Sequence, residues 1–408
     1  MSVMKKILSR RKFLKAAGAG GVGAFMTCMH FQKTLRAAAQ PSDETIPFRP
    51  FGRTGVTVPM LGFGGSQSLE SKQRLLRQAV KLGVTYWDTA ESYSNGGSEK
   101  AMGKYLQKYP GDRKKLFLVT KSHAVQPSRL SQSLDNSLKR LNSTFIDLFL
   151  IHGISSPYEM DKGIRNWAEH AKSDGKIRFI GFSSHSNMEA CMTEAAKLGW
   201  IDGIMVTYNY RLMHTDAMKR AVEACIKAGI GLTAMKAQAG RSWGDVGRNT
   251  ETVKQLIDAF SKKGFTEEQA KLMAVWDNPH IATICSEMTN LEMLTKNVAA
   301  AQKRNGPSLG DKQLLKQYAR ETMSEYCAGC ADICGSALEA EVPVCDIMRY
   351  LMYARCYQEP ERAKSLFHEL VPAIHRRMGE IDYLAAETSC PRGMPIGRLM
   401  EEAIAELL

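Results

Sequence analysis

Beyond its first 39 residues the sequence lacks a large excess of positive charge. The 408-residue chain has a formal net charge of +13, but residues 1–39 contain eight Lys or Arg and no Asp or Glu. Subtracting these eight charges from +13 leaves +5 for the remainder. Such a charge is ordinary for a chain of this length, so no nucleic-acid groove or basic membrane-binding face is expected.

The N-terminal part also lacks an apolar run long enough for a stable membrane span. Its weakly apolar, Ala/Gly-rich stretch at residues 16–29 is followed at once by His30, Gln32 and Lys33. A membrane-spanning helix needs about 20 consecutive apolar residues. We therefore expect no stable membrane span in the mature chain.

The same residues show the order of features found in export signals. A basic start precedes the Ala/Gly-rich stretch, and Ala37-Ala38-Ala39 offers a small-residue cleavage site. Residues 9–15, which include Arg10-Arg11, resemble the twin-arginine signal. The resemblance implies that residues 1–39 are a signal peptide and that the chain folds with a cofactor in the cytoplasm before export to the periplasm. A basic disordered tail or a membrane anchor is the alternative.

After a polar linker, eight short apolar segments alternate with amphipathic stretches. The segments are residues 60–65, 84–90, 116–122, 147–153, 177–184, 201–208, 229–237 and 281–286. Strands that alternate with helices indicate a parallel sheet, and eight such units in about 255 residues match a closed barrel. The sequence therefore predicts an α/β fold, a (β/α)8 TIM barrel over residues 48–302. A doubly wound open sheet fits less well, because no predicted strand is followed by a G-x-G-x-x-G turn that opens a helix.

Residues 311–408 differ from the barrel region. They are mostly helix-prone, they contain six of the ten cysteines, and they show no strand pattern. The turn-forming segment 304–310 precedes them. We expect a separate, mostly helical C-terminal module that contains cysteines.

Four polar residues stand at or just beyond the ends of three successive predicted strands, where (β/α)8 enzymes carry their catalytic groups. The second strand ends in Asp88, with Tyr93 five residues further on, the third ends in Lys121, and the fourth leads into His152. A tyrosine hydroxyl can give its proton to a carbonyl oxygen while a hydride reaches the carbonyl carbon. We expect the Lys121 ammonium to lower the pKa of Tyr93 from near 10 toward working pH. Asp88 would keep Lys121 charged and in place, and His152 would orient the substrate oxygen.

These strand ends carry a resemblance to a known family. Residues 83–90, with the sequence GVTYWDTA, Val119-Thr120-Lys121 and Leu150-Ile151-His152 resemble the aldo/keto reductase family. The resemblance implies that the four strand-end residues are the catalytic tetrad of an oxidoreductase acting on a small carbonyl compound or alcohol. It also implies a nicotinamide cofactor, NADP(H) or NAD(H), that lies extended across the barrel mouth without a dinucleotide fingerprint.

The resemblance further implies which residues contact the cofactor. Those expected around the nicotinamide are Ser183, Ser184 and Tyr208, with Asn209 beside them, and Tyr208 would stack on the ring. Those expected at the pyrophosphate and adenosine end are Lys236, Ser286, Asn290 and Asn297.

The sequence departs from the family pattern at the cofactor site. Ser184 and Met205 replace an Asn and a Gln that usually hold the nicotinamide carboxamide, and Cys285-Ser286 replaces a small Pro-Gly turn. These changes favour an alternative function of another class. In that alternative the barrel has lost turnover and serves as a binding or electron-transfer subunit.

The C-terminal cysteines form part of a metal-binding pattern. Cys327, Cys330 and Cys334 form a C-x2-C-x3-C run, and such closely spaced thiolates indicate a metal. In two-cluster ferredoxins the Cys-Pro that ends one run ligates the cluster of the other run. Cys390-Pro391 resembles the end of a second run, as in aldo/keto reductases with ferredoxin-like tails, although the leading cysteines of that run are missing.

The resemblance implies one 4Fe-4S cluster, held by Cys327, Cys330, Cys334 and Cys390, and with it a redox partner protein. Structural zinc and a disulfide are the alternatives, because four thiolates also suit a tetrahedral site and the periplasm is oxidising. Cys345 or Cys356 is the alternative fourth ligand.

Export can be tested at the arginine pair. Replacing Arg10 and Arg11 together by Lys should leave the protein in the cytoplasm, because Lys retains the charge but not the planar guanidinium. Cell fractionation with immunodetection measures the distribution, and a Lys5→Arg/Lys6→Arg variant serves as the charge-preserving control. Periplasmic accumulation of the Arg10→Lys/Arg11→Lys variant at the wild-type level would contradict the prediction.

Overall fold

The computed structural model describes residues 45–239, 251–262, 264–303, 307–323, 326–339, 341–357 and 359–408. The predicted signal peptide, residues 1–39, lies outside the described residues. Residues Ile46–Leu408 form one compact unit. Within the described ranges, no helix combines the length and the apolar character needed to cross a bilayer.

Eight parallel strands form a closed barrel. A short antiparallel hairpin, β1 (Phe48–Pro50) and β2 (Thr57–Pro59), precedes them. The barrel strands are β3 (Leu61–Gly64), β4 (Tyr86–Asp88), β5 (Phe117–Ser122), β6 (Ile146–Ile151), β7 (Ile177–Ser184), β8 (Gly203–Thr207), β9 (Gly231–Met235) and β10 (Ile281–Glu287). They pair in chain order, and β10 closes the sheet onto β3. The predicted (β/α)8 barrel is confirmed.

Helices connect the barrel strands and surround them. They are α1 (Gln73–Lys81), α2 (Gly97–Lys108), α3 (Pro127–Leu141), α4 (Lys162–Ser173), α5 (Met188–Leu198), α6 (Asp216–Lys227), α7 (Glu251–Lys262), α8 (Glu267–Trp276) and α9 (Leu291–Gln302). In α3, Leu130, Leu134 and Leu141 recur at helical spacing and are buried. This apolar stripe packs against the outside of the barrel, while charged residues occupy the opposite face.

Every second side chain of each strand points into the barrel and fills its interior, because successive strand residues point to opposite faces. Tyr86 and Phe117 stack inside it, with ring centroids 5.3 Å apart. Phe51, which follows β1, packs into the same cluster. The backbone N–H of Arg53 donates to the carbonyl of Gly229, just before β9. The hairpin therefore closes the N-terminal end of the barrel, and the C-terminal ends of the strands form the mouth.

The C-terminal region is helical, as the sequence predicts. Its helices are α10 (Leu309–Glu321), α11 (Ala331–Ser336), α12 (Val344–Cys356), α13 (Pro360–His368), α14 (Pro372–Met378), α15 (Leu384–Ser389) and α16 (Ile396–Leu407). Their buried apolar residues belong to the same hydrophobic cluster as the layer between the barrel and its helices. The region is thus packed onto the barrel.

The segment before α11 docks on the loop after β7. Gly329 has φ +80°, and its carbonyl accepts a hydrogen bond from the backbone N–H of Asn187 at 2.7 Å. A Cβ atom at this position would lie 2.2 Å from the carbonyl oxygen of His185. Both the left-handed conformation and the close approach require glycine here.

Candidate active site

The predicted catalytic residues meet at the floor of the barrel mouth. Asp88 has the same parity as Tyr86 on β4, and Lys121 the same parity as Phe117 on β5, so both point into the barrel. Lys121 Nζ lies 2.6 Å from Asp88 Oδ1 and 2.7 Å from Asp88 Oδ2. It also lies 3.4 Å from the hydroxyl of Tyr93.

His152 follows β6 and completes this layer. Its ring packs edge-on against Tyr93, with centroids 5.7 Å apart, and stacks on His123 at 4.1 Å. The His152 Nδ1 atom is buried and has no hydrogen-bond partner among the described residues. An unsatisfied buried nitrogen is costly, so this atom is a candidate contact for a ligand.

Burial and mutual charge set the protonation of the four groups. Burial lowers the pKa of Lys121, whereas the negative charge of Asp88 raises it. On balance the pKa of Lys121 is above its ordinary value. Burial, followed by the charge of Lys121, lowers the pKa of His152 well below its ordinary value. At neutral pH Lys121 is therefore charged and His152 is neutral.

Tyr93 differs from the sequence-based expectation. Burial raises its pKa to about 12, and the opposing charge of Lys121 is too weak to lower it toward neutral pH. The spacing of strand ends indicates the neighbouring ammonium, whereas the loss of water around the phenol depends on tertiary packing. Tyr93 therefore remains a protonated phenol across the neutral range, which suits a proton donor.

A cavity of about 1930 Å³ lies above these residues. It is larger than the roughly 300–1,000 Å³ of most small-molecule sites, so it can hold two reactants. The C-terminal helices contribute Arg349, Tyr353 and Arg362 to its walls. None of the three was predicted from the sequence. Arg349 and Tyr353 are four apart and so share a face of α12, but that spacing does not say what the face contacts.

Two further residues that were not predicted as site residues line the same cavity. Met235, at the end of β9, is partly exposed there. Cys285 on β10 lies close enough to Asp88 to share a hydrogen bond, which opposes the effect of burial on the pKa of that carboxyl. The sequence marked Cys285 only as part of a replaced turn.

The residues predicted around the nicotinamide are engaged inside the protein. The backbone N–H of Gly153 donates to Ser183 Oγ at 3.1 Å, and Ser184 Oγ donates to the carbonyl of Ser186 at 2.8 Å. Tyr208 points away from the barrel interior, and its hydroxyl accepts from Asn278 Nδ2 at 3.0 Å. Ser183, Ser184 and Tyr208 are not among the described residues that line the cavity.

Residue Asn209, beside them, is also covered. It is buried, and its Nδ2 donates to the hydroxyl of Tyr326 at 3.2 Å and to the carbonyl of Lys236 at 3.3 Å. Tyr326 belongs to the docked C-terminal segment. That segment therefore covers part of the region where the nicotinamide was expected.

The predicted pyrophosphate end is partly assembled in the cavity. Lys236 and Ser286 line it. Asn297 is buried, and its Nδ2 donates to Ser286 Oγ at 3.1 Å. Asn290 caps α9, because its Oδ1 accepts from the backbone N–H of Met293 at 2.9 Å. Thr289 and Met293 bring the start of α9 to the same cavity, and a helix N-terminus favours an anion. Asn290 and Asn297 themselves are not among the described residues that line it.

Residues 60–301 match the family model described as the aldo/keto reductase family. The chain belongs to this family. The matched residues include all four predicted catalytic residues at the barrel mouth.

Two relatives to which the chain is similar have enzyme names. It is 33% identical over 185 residues to the aldo-keto reductase yakc of Schizosaccharomyces pombe, whose name specifies NADP(+), covering 40% of this chain and 53% of the relative. It is 32% identical over 158 residues to L-glyceraldehyde 3-phosphate reductase of Escherichia coli K12, covering 34% of this chain and 45% of the relative. The matches thus span about half the length of these relatives.

A solved structure shows the same barrel. The thermostable aldo-keto reductase Tm1743, in complex with the inhibitor epalrestat, is 27% identical and superposes with a TM-score of 0.56. The superposition covers 67% of this chain and 99% of that one.

Five thiols of this aldo/keto reductase border a second, small cavity in the C-terminal region. They belong to Cys327, Cys330, Cys334, Cys345 and Cys390. Cys345 Sγ lies 3.9 Å from Cys327 Sγ and 3.8 Å from Cys334 Sγ. In the part of the chain that the structure describes, no three His, Cys, Asp or Glu side chains are arranged to hold a metal ion. Cys356 lies apart from this cavity, in the wall of the barrel mouth.

The pair of Asp88 and Lys121 can be tested by stability. Lys121→Met should destabilise the fold by about 3–5 kcal/mol, because it leaves the buried Asp88 carboxylate without its cation. The loss should shrink as the pH is lowered, since burial already raises the pKa of Asp88 and protonation removes the stranded charge. Urea unfolding followed by circular dichroism measures the effect.

Two variants make this result specific. Asp88→Asn/Lys121→Met removes both charges and should recover much of the stability. Lys115→Met removes a lysine that is 62% exposed in its pair with Asp112, and it should change stability by less than about 1 kcal/mol. Equal losses for Lys121→Met and Lys115→Met would show that the buried pair is unimportant.

Proposed function

We propose that the chain is an exported oxidoreductase that transfers hydride between a nicotinamide cofactor and the carbonyl group of a small substrate. One observation carries the proposal: Lys121, paired with Asp88, lies 3.4 Å from the Tyr93 hydroxyl at the floor of a large cavity. The names of the relatives agree with it, since one specifies NADP(+) and the other a phosphorylated aldehyde. NADP(H) is accordingly favoured over NAD(H).

The tetrad supplies the proton chemistry of carbonyl reduction. When bound, a nicotinamide supplies hydride to the carbonyl carbon. Tyr93, protonated because burial raises its pKa to about 12, gives its proton to the carbonyl oxygen. The Lys121 ammonium at 3.4 Å stabilises the phenolate that remains, and Asp88 holds Lys121 in position. Neutral His152 orients the carbonyl oxygen from the side.

The residues of this chain fit the phosphate end of the cofactor better than its carboxamide end. Lys236 forms no ion pair among the described residues, so its charge is available to a phosphate, with Ser286 and the start of α9 nearby. Met205 offers no hydrogen bond to a carboxamide, and the Ser184 hydroxyl is already bonded to Ser186. Lys236 and Ser286 would therefore hold the cofactor.

A barrel that serves as a binding or electron-transfer subunit is the second candidate function. The observation that favours it is the burial of Ser183, Ser184 and Tyr208 away from the cavity. The tetrad favours the enzyme, because a binding subunit has no use for a protonated phenol beside a charged lysine. Quenching of tryptophan fluorescence by NADPH distinguishes the two functions, since only the enzyme requires the cofactor.

The proton donor can be tested with Tyr93→Phe. This variant should reduce carbonyl reduction at least 100-fold, because it removes the aligned acid. NADPH binding, measured by tryptophan quenching, should stay within about threefold. In the wild type, kcat/KM for reduction should stay constant across neutral pH and fall only as Tyr93 approaches its pKa of about 12.

Tyr158→Phe is the matched control, because Tyr158 is 88% exposed and is not among the described residues that line the cavity. Its kinetics should equal those of the wild type. Undiminished turnover by Tyr93→Phe would mean that the acid is elsewhere. A decline of wild-type kcat/KM through neutral pH would contradict the protonated phenol.

We also propose that the exported chain carries one 4Fe-4S cluster, held by Cys327, Cys330, Cys334 and Cys390, and exchanges electrons with a redox partner. The grouping of these four thiols around one cavity supports the proposal, since thiolates are the ligands of such clusters. A single zinc ion is the second candidate. Zn–S bonds of about 2.3 Å place sulfurs about 3.8 Å apart in a tetrahedral site, close to the separations of Cys345 from Cys327 and Cys334.

Metal analysis separates the two candidates. Protein purified without oxygen should be brown and should contain about four irons and four sulfides per chain. Cys390→Ser should lose both, whereas Cys225→Ser, a buried cysteine outside the cavity, should keep them. A colourless protein with one zinc per chain would contradict the cluster. If Cys345→Ser lost this zinc and Cys390→Ser kept it, the result would support the zinc site instead.

A further inference from the structure

Beside the tetrad, the mouth contains a second polar group, whose members from the C-terminal helices have no role in the reaction described above. It consists of Lys236, Arg349, Tyr353 and Arg362, which we call the mouth cluster. Lys236 follows β9, whereas the other three come from α12 and α13 of the C-terminal region. The barrel and the C-terminal helices therefore build this group together.

The side chains of the mouth cluster surround one phenol ring. Arg362 Cζ lies 4.3 Å and Lys236 Nζ 5.4 Å from the centroid of Tyr353. Lys236 Nζ also lies 3.2 Å from Nδ1 of His185. Burial raises the pKa of Tyr353, but the charges of Lys236, Arg349 and Arg362 outweigh it, and the net pKa is below the ordinary value. The positive charges of the cluster therefore favour a negative charge at the Tyr353 hydroxyl.

Two carboxylates pair with the arginines of the cluster. Asp346 pairs with Arg349 at 2.8 Å, and Glu359 pairs with Arg362 at 2.7 Å. Lys236 has no such partner among the described residues. Glu287, Glu361 and Glu369 also line the cavity, so what the cluster offers an oxyanion is its guanidinium and ammonium donors rather than a net charge of the cavity.

The cluster and the tetrad line the same cavity. Besides burial, the groups that shift the pKa of His152 are Lys121, His123, Arg362 and Lys236, all of which lower it. The positive charges of the cluster thus reach the tetrad side of the cavity.

We infer that the mouth cluster recognises an oxyanion on the substrate, so that the substrate class is a carbonyl compound bearing a carboxylate or a phosphate. The inference rests on the proposed function for the carbonyl and on the cluster alone for the acidic group. Arginine suits this role because its planar fork binds carboxylate and phosphate through two parallel hydrogen bonds. A neutral aldehyde offers no anion to these guanidinium groups.

Isothermal titration of the full chain tests the inference without requiring turnover. The ligands are 4-formylbenzoate, 4-formylphenyl phosphate and, as the neutral reference, benzaldehyde. The wild type should bind at least one acidic aldehyde 10-fold or more tightly than benzaldehyde, as expected for one charge-assisted hydrogen bond. The tighter of the two acidic ligands identifies carboxylate or phosphate as the group recognised.

Variants assign the preference to the mouth cluster. Arg349→Gln and Arg362→Gln should each reduce the ratio of acidic to neutral affinity about 10-fold, and Arg362→Lys should retain part of it because the charge remains. Arg355→Gln is the matched control, since Arg355 lies on the same helix but pairs with Glu402 and Glu406. It should keep the wild-type ratio. Thermal melting of each variant confirms that the fold is intact.

Three results would overturn the inference. The first is equal affinity of the wild type for acidic and neutral aldehydes. The second is an unchanged ratio of acidic to neutral affinity in both glutamine variants. The third is that the glutamine variants lose affinity for NADPH but keep their affinity for the acidic aldehydes. The last would assign the cluster to the cofactor phosphates. If the acidic ligands bind selectively but no hydride transfer is observed, the anion site is supported and the proposed oxidoreductase activity fails by itself.

Discussion

The closure of the sheet, with β10 paired to β3, is the constraint on which the site depends. Eight parallel strands in one closed sheet bring all their carboxyl ends to a single rim. Alternation along each strand then directs every second side chain inward, so that the topmost inward positions form one layer. Asp88 and Lys121 occupy that layer, and each charge is tolerated there because the other is 2.6 Å away.

The C-terminal helices turn this open rim into a cavity with two kinds of wall. The barrel side carries the proton-transfer groups, and the helical side carries Arg349, Tyr353 and Arg362. The helical side is fixed in place by polar contacts to the loops after β7 and β8. Arg211 Nε donates to Thr322 Oγ1 at 3.0 Å, and Arg392 Nη2 donates to the carbonyl of Arg211 at 3.0 Å. The proposed proton-transfer groups and the proposed anion-binding groups thus lie on different parts of the chain.

The barrel could be predicted from the sequence because its signals are local and repeated. All eight predicted strands overlap the observed ones, and the strand-end position of Lys121 placed it beside Asp88. The alternation of side chains along a strand also predicts the direction of Tyr208. Met205 fills the barrel interior, so Tyr208, three residues on, must point outward. The pKa of Tyr93 and the mouth cluster could not be predicted, because burial and the docking of distant helices depend on tertiary packing.

Gly329 lies between Cys327 and Cys330 and at the same time bonds to Asn187 on the barrel. One residue therefore belongs both to the run of thiols and to the contact that joins the C-terminal region to the barrel. A side chain at position 329 would disturb both at once, because its Cβ atom would lie 2.2 Å from the carbonyl oxygen of His185.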